Sequence, residues 1–139
     1  MIVLDTYVVS EPMKLRGDPA VQAWLDRQVA DTLYLTATSL AELLAGAEIL
    51  AGGKREEGLV TGLNDLLTAL FGGRTLPFDQ PAAEIYACLI VHARANGRVI
   101  SVADGQIAAI ATRHGFAVAT RDLAPFVATG VRVINPWVD

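Results

Sequence analysis

Short apolar runs alternate along this chain with longer stretches in which apolar residues recur at helical spacing. The short runs predict buried strands, and the longer stretches predict amphipathic helices. The predicted strands cover residues 2–4, 33–37, 74–78, 116–120 and 131–134. The predicted helices cover residues 19–29, 39–50, 56–71, 81–96 and 101–114. Strands that alternate with helices form parallel βαβ units, so we expect a three-layer α/β/α fold with a central, mainly parallel sheet.

The composition is that of one ordinary globular domain. The chain has 139 residues, of which 53% are hydrophobic and 19% charged. A chain of this size buries about 68–70% of the surface that its unfolded form exposes, enough for a core without disulfide or zinc staples. We therefore expect a single domain over residues 1–139. The one cysteine, Cys88, lies among apolar residues and is predicted to be a buried small hydrophobe.

The opening residues and the apolar runs predict neither export nor insertion into a membrane. The opening MIVLDT lacks the basic segment of a secretion signal, and the apolar runs are far shorter than the roughly 18 residues that a membrane span requires. A lone cysteine agrees with a reducing compartment. The sequence predicts a cytoplasmic protein without membrane contact.

The charge balance narrows the possible partners. Eleven Lys and Arg residues against fifteen Asp and Glu residues give a net charge of −4. This is the wrong sign for a protein that holds duplex DNA unaided by neutralising its phosphates. An acidic protein still acts on nucleic acids if its carboxylates gather around divalent cations. The positions of the carboxylates in the predicted fold therefore decide whether such a site is expected.

Four acidic residues map to one edge of the predicted sheet. Asp5 ends the first strand, and Asp122 follows the fourth. Glu42 and Asp104 are expected in the first turn of their helices. Ligands of open parallel sheets bind beyond the carboxyl ends of the strands, and Mg²⁺ and Mn²⁺ prefer oxygen ligands. We expect a magnesium or manganese site there, formed by these four residues.

A local structural role is the alternative for some of these acids. Ser39 and Glu42 have the spacing of a capping box, and Ser101 and Asp104 approximate one. Asp104 also shares a helical stripe with Ile107, and a carboxylate that faces the interior is costly unless it is paired or metal-bound. Both interpretations stay open from the residues alone.

Four segments, in order, carry a family resemblance. They are MIVLDT at 1–6, TSLAEL at 38–43, ADGQIAA at 103–109 and ATRD at 119–122. With them, and with the ending Asn135-Pro136-Trp137, the chain resembles the PIN-domain ribonucleases. Within that family it is most similar to the VapC-type toxins of bacterial toxin–antitoxin pairs, especially the FitB-like branch. The likeness spans residues 1–137.

The resemblance implies an endoribonuclease that depends on Mg²⁺ or Mn²⁺ and cuts RNA with metal-activated water. It implies that Asp5, Glu42, Asp104 and Asp122 form the acidic cluster, with Asp5 and Asp104 as the most direct metal ligands. We expect a cognate antitoxin, VapB-like or FitA-like, to cover the acidic cleft. Contact with DNA is expected only through that antitoxin.

One position departs from the family pattern. PIN domains usually read D-T-N or D-S-N at the first strand, whereas Tyr7 follows Asp5 and Thr6 here. The tyrosine can reduce or redirect activity, stack on a base or simply pack, while Thr6 remains available as a supporting hydroxyl. One alternative is therefore a catalytically weakened, PIN-like binding module. Another is an aspartate-based phosphatase or phosphoacceptor domain with Asp5 as nucleophile. Such a phosphatase would require a second Asp at position 7, which Tyr7 occupies here.

Two further features suggest partners. The predicted helix over 56–71 has more apolar positions than one face can bury, which predicts a possible homodimer. Arg121, next to Asp122, is a candidate for contact with a substrate phosphate or for pairing with an acid. The loop at 14–16 is a weaker candidate for RNA contact.

Overall fold

A computed structural model describes residues 1–50, 52 and 58–139 of the chain. Five strands lie within these ranges: β1 Ile2–Leu4, β2 Leu33–Thr36, β3 Thr75–Leu76, β4 Ala117–Ala119 and β5 Val133–Ile134. The α-helices in the same ranges are α1 Thr6–Ser10, α2 Pro19–Asp26, α3 Ala37–Leu50, α4 Leu59–Phe71, α5 Gln80–Ala95, α6 Val102–His114 and α7 Leu123–Val127. Two 3₁₀ turns follow α1 and α2, at Glu11–Met13 and Ala30–Thr32.

The strands form one parallel sheet in the order β3-β2-β1-β4-β5. The central strand β1 pairs through Ile2 with Leu33 of β2 on one side and with Ala117 of β4 on the other. Each neighbouring pair runs in the same direction, so the carboxyl ends of the strands share one edge. The prediction of a central parallel sheet is confirmed.

Helices cover both faces of the sheet because successive strand residues point to opposite sides. Val3 of β1 and Val118 of β4 pack against Ile107 of α6 on one face. The next residue of β1, Leu4, belongs to a cluster on the other face that includes Leu43 of α3 and further residues of α1, α2 and α4. The predicted three-layer α/β/α architecture is thereby confirmed.

The bounds of α6 follow from the residue types at its two ends. The Ser101 hydroxyl accepts the N–H of Asp104 at 3.1 Å, which satisfies one of the free donors of the first turn. Gly115 ends the helix with φ 71°, a left-handed conformation that favours glycine, and the chain then enters β4. These bounds place Asp104 at the edge where the strands end, as predicted.

The start of α3 differs from the prediction. The helix begins at Ala37, and the N–H of Ser39 donates to Thr36 Oγ1 at 3.0 Å, so Thr36 is the capping side chain. The capping box between Ser39 and Glu42, one of the two interpretations that the sequence left open, does not form, because Ser39 lies inside the helix with a buried hydroxyl. Glu42 consequently lies in the second turn rather than the first.

Two other predictions are corrected or limited by the structure, and two short helices were not predicted. Cys88 is exposed, since the side of α5 that faces away from α6 is open to solvent. The short helices α1 and α7 were not predicted, because five residues are too few to show a helical period. The predicted helix over 56–71 is confirmed from Leu59 onwards, and its residues 56–57 lie outside the described ranges.

The apolar surface of α4 is only partly buried. Leu67 and Phe71 belong to the core, whereas Leu66 and Leu70 are 43% and 51% exposed. These two leucines line an apolar cavity of about 430 Å³, together with Leu25 of α2 and other residues. A homodimer through this surface stays a prediction. Within the described ranges, no helix combines the length and apolar character that crossing a membrane requires.

Close packing of α5 on α6 requires a glycine at position 105. A Cβ at Gly105 would lie 2.7 Å from Tyr86 Cε2 and 3.1 Å from Ile90 Cδ1. Tyr86 in turn packs edge-on against Phe78, with ring centroids 5.8 Å apart. The ring therefore cannot move aside without disturbing a second contact.

We expect Gly105→Ala to lower the free energy of unfolding by about 1–2 kcal/mol, because the cost of overpacking exceeds the gain in helix propensity. The matched control is Gly62→Ala in α4, where the added methyl meets nothing within 4 Å. That control should gain about 0.5–1 kcal/mol. Urea unfolding of both variants measures the difference, and a Gly105→Ala protein as stable as the wild type would contradict the packing argument.

Candidate active site

The pairing of β1 with β4 places an acid and a hydroxyl side by side. Leu4 lies opposite Ala119, and the ladder continues as the N–H of Asp5 donates to the Ala119 carbonyl at 2.9 Å. Asp5 and Thr120 thus both leave the sheet at its carboxyl edge, where Thr120 Oγ1 donates to Asp5 Oδ2 at 2.8 Å. Asp5 Oδ1 accepts the Thr6 N–H at 2.8 Å, and the Asp5 residue is only 4% exposed.

Thr6 connects this strand end to α3. Its hydroxyl donates to Glu42 Oε1 at 2.9 Å, while its amide holds Asp5. Glu42 is exposed and lies on the second turn of α3. A single residue therefore orients two of the predicted acids, one through its main chain and one through its side chain.

The remaining two acids come from the other side of the sheet edge. Asp104 lies half-buried in the first turn of α6, directly after the Ser101 cap. Asp122 follows β4, and its N–H donates to Thr120 Oγ1 at 3.1 Å. Thr120 therefore fixes both the Asp5 carboxylate and the main chain that carries Asp122.

All four acids line one cavity of about 370 Å³. The lining residues are Asp5, Thr6, Tyr7, Glu42, Ser101, Ala103, Asp104 and Asp122. Half of them are carboxylates, contributed by four separate parts of the chain that only the fold brings together. This arrangement concentrates negative charge at the carboxyl edge of the sheet.

The electrostatics of the cavity reflect burial and crowding of like charges. Burial raises the pKa of Asp5 from 3.8 to about 6, against hydrogen bonds from Thr120 and Thr6 that lower it, and the charges of Asp104 and Glu42 raise it further. Burial also raises the pKa of Asp104, where hydrogen bonding with Ser101 lowers it and the charge of Asp122 raises it. The charges of Asp104 and Glu42 thus disfavour ionisation of Asp5, and the charge of Asp122 disfavours ionisation of Asp104.

The donor set suits a hard divalent cation bound partly through water. The four acids offer oxygen ligands alone, and none of them forms an ion pair with a described residue. In the part of the chain that the structure describes, no three His, Cys, Asp or Glu side chains converge closely enough to enclose an ion by themselves. Mg²⁺ typically keeps several waters and takes one or two carboxylates, so this open arrangement fits it.

The structure brings every acid predicted from the sequence to this cavity. It also answers two questions that the sequence left open, the packing of Tyr7 and the ion pairing of Arg121. Tyr7 is 59% exposed, so it is not a core packing residue. Arg121 makes no ion pair with the residues described; its guanidinium carbon lies 5.3 Å from the centroid of the Trp137 ring. The role of Thr120 was not predicted from the sequence, because it depends on the pairing of β4 with β1.

Comparison with known proteins agrees with this geometry. The PIN domain family model matches residues 2–130. The chain is 49% identical over 137 residues to the VapC ribonuclease Y4jK of Sinorhizobium fredii (strain NBRC 101917 / NGR234), a match that covers 99% of this chain and 98% of that protein. It is 45% identical over 139 residues to the toxin FitB of Neisseria gonorrhoeae (strain ATCC 700825 / FA 1090), over 100% of both chains.

Solved structures share the whole fold. A chain in the crystal structure of FitAcB from Neisseria gonorrhoeae superposes with a TM-score of 0.94 at 45% identity, over 100% of both chains. A chain in the structure of FitAB bound to an IR36 DNA fragment gives a TM-score of 0.93 at 44% identity, over 99% of this chain and 96% of that one. The family match and these full-length similarities together show that the chain belongs to the PIN domain family.

Proposed function

We propose that this chain is a Mg²⁺- or Mn²⁺-dependent endoribonuclease and the toxin of a toxin–antitoxin pair. The observation that carries the proposal is the convergence of Asp5, Glu42, Asp104 and Asp122 on one cavity. Two full-length relatives, a VapC ribonuclease and the toxin FitB, support the activity and the biological class. The products are RNA fragments released by hydrolysis of a phosphodiester.

In this proposal Asp5 and Asp104 hold the cation most directly, and Glu42 and Asp122 complete the cluster. Asp5 is suited to this role because it is buried and has no described cationic partner, so a divalent ion relieves both desolvation and repulsion. A bound cation of this kind polarises a phosphoryl oxygen and lowers the pKa of an attacking water. The protein supplies the geometry of the ligands.

Two threonines set that geometry. Thr120 fixes the Asp5 carboxylate at 2.8 Å and the Asp122 main chain at 3.1 Å. Thr6 fixes Asp5 through its amide and Glu42 through its hydroxyl. Hydrogen-bond partners of this sort keep ligands in position before the ion arrives. Both threonines are therefore positioning residues in the proposed site.

The proposed partner is an antitoxin, VapB-like or FitA-like, that covers the acidic cavity with a basic or amphipathic segment. A similar chain occurs in FitAB bound to DNA. The present chain has a net charge of −4, which opposes broad contact with duplex DNA. We propose that the antitoxin supplies the DNA-binding surface and that the chain reaches DNA only through it.

The nuclease proposal predicts cleavage of labelled RNA by the purified chain with Mn²⁺ or Mg²⁺ and none in EDTA. We expect Asp5→Asn and Asp104→Asn each to reduce the rate more than about 100-fold, because loss of a hydrogen-bonding partner of a metal ligand alone costs roughly 10- to 100-fold in metal affinity or activity. Both variants should also lose growth inhibition while their circular dichroism stays unchanged.

The matched pair for this test lies on α3. Glu42→Gln should slow cleavage, whereas Glu48→Gln, an exposed residue outside the cavity, should not. Full activity of Asp5→Asn, or of the wild type in EDTA, would reject the mechanism. If calorimetry detects no Mn²⁺ binding to the wild type, the weakened binding module becomes the better interpretation, with Tyr7 in place of the usual amide as its structural cause.

The raised pKa of Asp5 predicts how stability depends on pH without metal. The folded state holds a proton on Asp5 up to about pH 6, whereas the unfolded chain releases it near 3.8, so stability falls as pH rises through this window. Asp5→Asn removes that loss. The metal-free variant should be more stable than wild type above pH 6 by up to about 3 kcal/mol, and the gain should vanish below about pH 4.

Urea unfolding in EDTA across this pH range measures the effect. Asp65→Asn is the control, since Asp65 is exposed on α4, and it should change stability little at any pH. A difference between Asp5→Asn and wild type that does not vary with pH would show that burial does not penalise the Asp5 charge.

The antitoxin proposal predicts that the antitoxin, and not this chain, binds DNA, which a gel-shift assay can test. The chain alone should not shift duplex DNA from the region upstream of its own gene at about 0.15 M salt. Its complex with the product of a small adjacent gene should shift it, and the same product should inhibit RNA cleavage. A shift of this DNA by the chain alone would overturn the proposed role of the antitoxin.

A further inference from the structure

A second cavity, of about 380 Å³, adjoins the acidic one. Its lining residues are Tyr7, Glu11, Lys14, Arg121, Asp122 and Trp137. Tyr7 and Asp122 line both cavities, so the two are neighbours along the same edge of the sheet. The acidic cavity is lined mostly by carboxylates and small side chains, whereas this one combines two cations with two aromatic rings.

Arg121 is held in this cavity by an aromatic ring rather than by an acid. Its guanidinium carbon lies 5.3 Å from the centroid of Trp137, a cation–π distance. Trp137 is itself fixed: it packs against a core cluster, its main-chain N–H donates to Asn135 Oδ1 at 3.0 Å, and the preceding Pro136 is buried. Arg121 is exposed and has no ion pair among the described residues. Its N–H groups are thus available to a phosphate.

The second cation is anchored differently. Lys14 Nζ pairs with Glu11 Oε2 at 2.8 Å, and Glu11 Oε1 accepts the N–H of Asp18 at 3.1 Å. Hydrogen bonding with Lys14 lowers the pKa of Glu11, as does the charge of Arg121. Glu11 is therefore charged at neutral pH and compensates Lys14. Among the described residues, Arg121 is the cation of this cavity that forms no ion pair.

Tyr7 supplies an open aromatic surface at the boundary of the two cavities. It is 59% exposed and stands two positions after the buried Asp5. Tyr7 belongs to neither of the core clusters formed by the described residues. A base stacked on an aromatic side chain gains roughly 5- to 150-fold in affinity, and stacking surfaces next to cations are the usual means of holding single-stranded nucleic acid.

We propose that this second cavity is a nucleotide subsite for single-stranded RNA, next to the phosphate that is cut. A base stacks on Tyr7, and a neighbouring phosphate pairs with Arg121 on its Trp137 platform. The inference rests on the proposed nuclease function, and it names how the substrate is held. A basic segment of a partner protein would be repelled here by Arg121, whereas the neighbouring acidic cavity suits it.

The test measures binding of a fluorescein-labelled, single-stranded oligoribonucleotide to the full chain in EDTA, where the proposed site does not cut. Tyr7→Ala and Arg121→Ala should each weaken binding by roughly 5- to 150-fold. Tyr7→Phe keeps the ring and should stay within about twofold of wild type. Arg132→Ala makes the same charge change at an exposed residue outside both cavities and should also stay within about twofold.

Tryptophan fluorescence gives a second, independent readout. Trp24 is 5% exposed, whereas Trp137 lines the cavity. RNA should therefore quench the Trp137 signal, and Trp137→Phe should abolish the quenching. Equal losses of affinity in Arg121→Ala and Arg132→Ala, or an undiminished affinity in Tyr7→Ala, would overturn the subsite.

Cleavage assays with Mn²⁺ separate this inference from the nuclease proposal. If the subsite holds substrate, Tyr7→Ala and Arg121→Ala both raise KM for RNA. Arg121 does not line the acidic cavity, so Arg121→Ala should change kcat little, because its interaction is equal in the ground and transition states. Binding that depends on both residues without any cleavage would leave the subsite intact and reject the nuclease. Cleavage with an unchanged KM in both variants would reject the subsite. The subsite would also be rejected if the two variants lost antitoxin binding while their affinity for RNA stayed unchanged.

Discussion

A buried carboxylate at the end of the central strand is the feature on which the rest of the site depends. The pairing of Leu4 with Ala119 fixes the position of Asp5, and the hydroxyl of Thr120 holds it there. Desolvation and the charges of Asp104 and Glu42 both oppose its ionisation. Asp5 has no described cationic partner, and the proposed divalent cation would compensate its charge.

The chain separates its charges at this edge of the sheet. Carboxylates line one cavity, while Arg121, Lys14 and two aromatic rings line its neighbour. In the proposed function this separation would let a protein of net charge −4 engage RNA: cations held by the acids would attract the reacting phosphate, and the basic and aromatic surface would hold the adjoining nucleotide. The overall charge still disfavours broad contact with duplex DNA.

Much of the fold was predictable because its signals are local. Apolar runs gave β1 and β4, and Ser101 and Gly115 gave the bounds of α6. The start of α3 was not predictable from the Ser39 and Glu42 spacing, since Thr36 has an equivalent hydroxyl three residues earlier and the local pattern does not choose between them. The solvent-facing side of α5 was missed because its apolar composition resembles that of a buried helix.

The four acids of the candidate site were predictable from the sequence, whereas the residues that position them were not. The ends of the predicted strands and the starts of the predicted helices placed four acids at one edge: Asp5, Glu42, Asp104 and Asp122. Their ligand roles stay predictions. The roles of Thr120 and of the Arg121–Trp137 contact depend on strand register and on how the carboxyl terminus returns to the sheet, and neither is encoded in a local pattern.

The most direct measurement for the central claim is an anomalous difference map from crystals soaked in Mn²⁺. The account predicts a manganese peak in the cavity between Asp5 and Asp104, with Glu42 and Asp122 around it. A soak that leaves this cavity without a peak, with the ion bound elsewhere or not at all, would contradict the claim that the acids gather to hold a divalent cation.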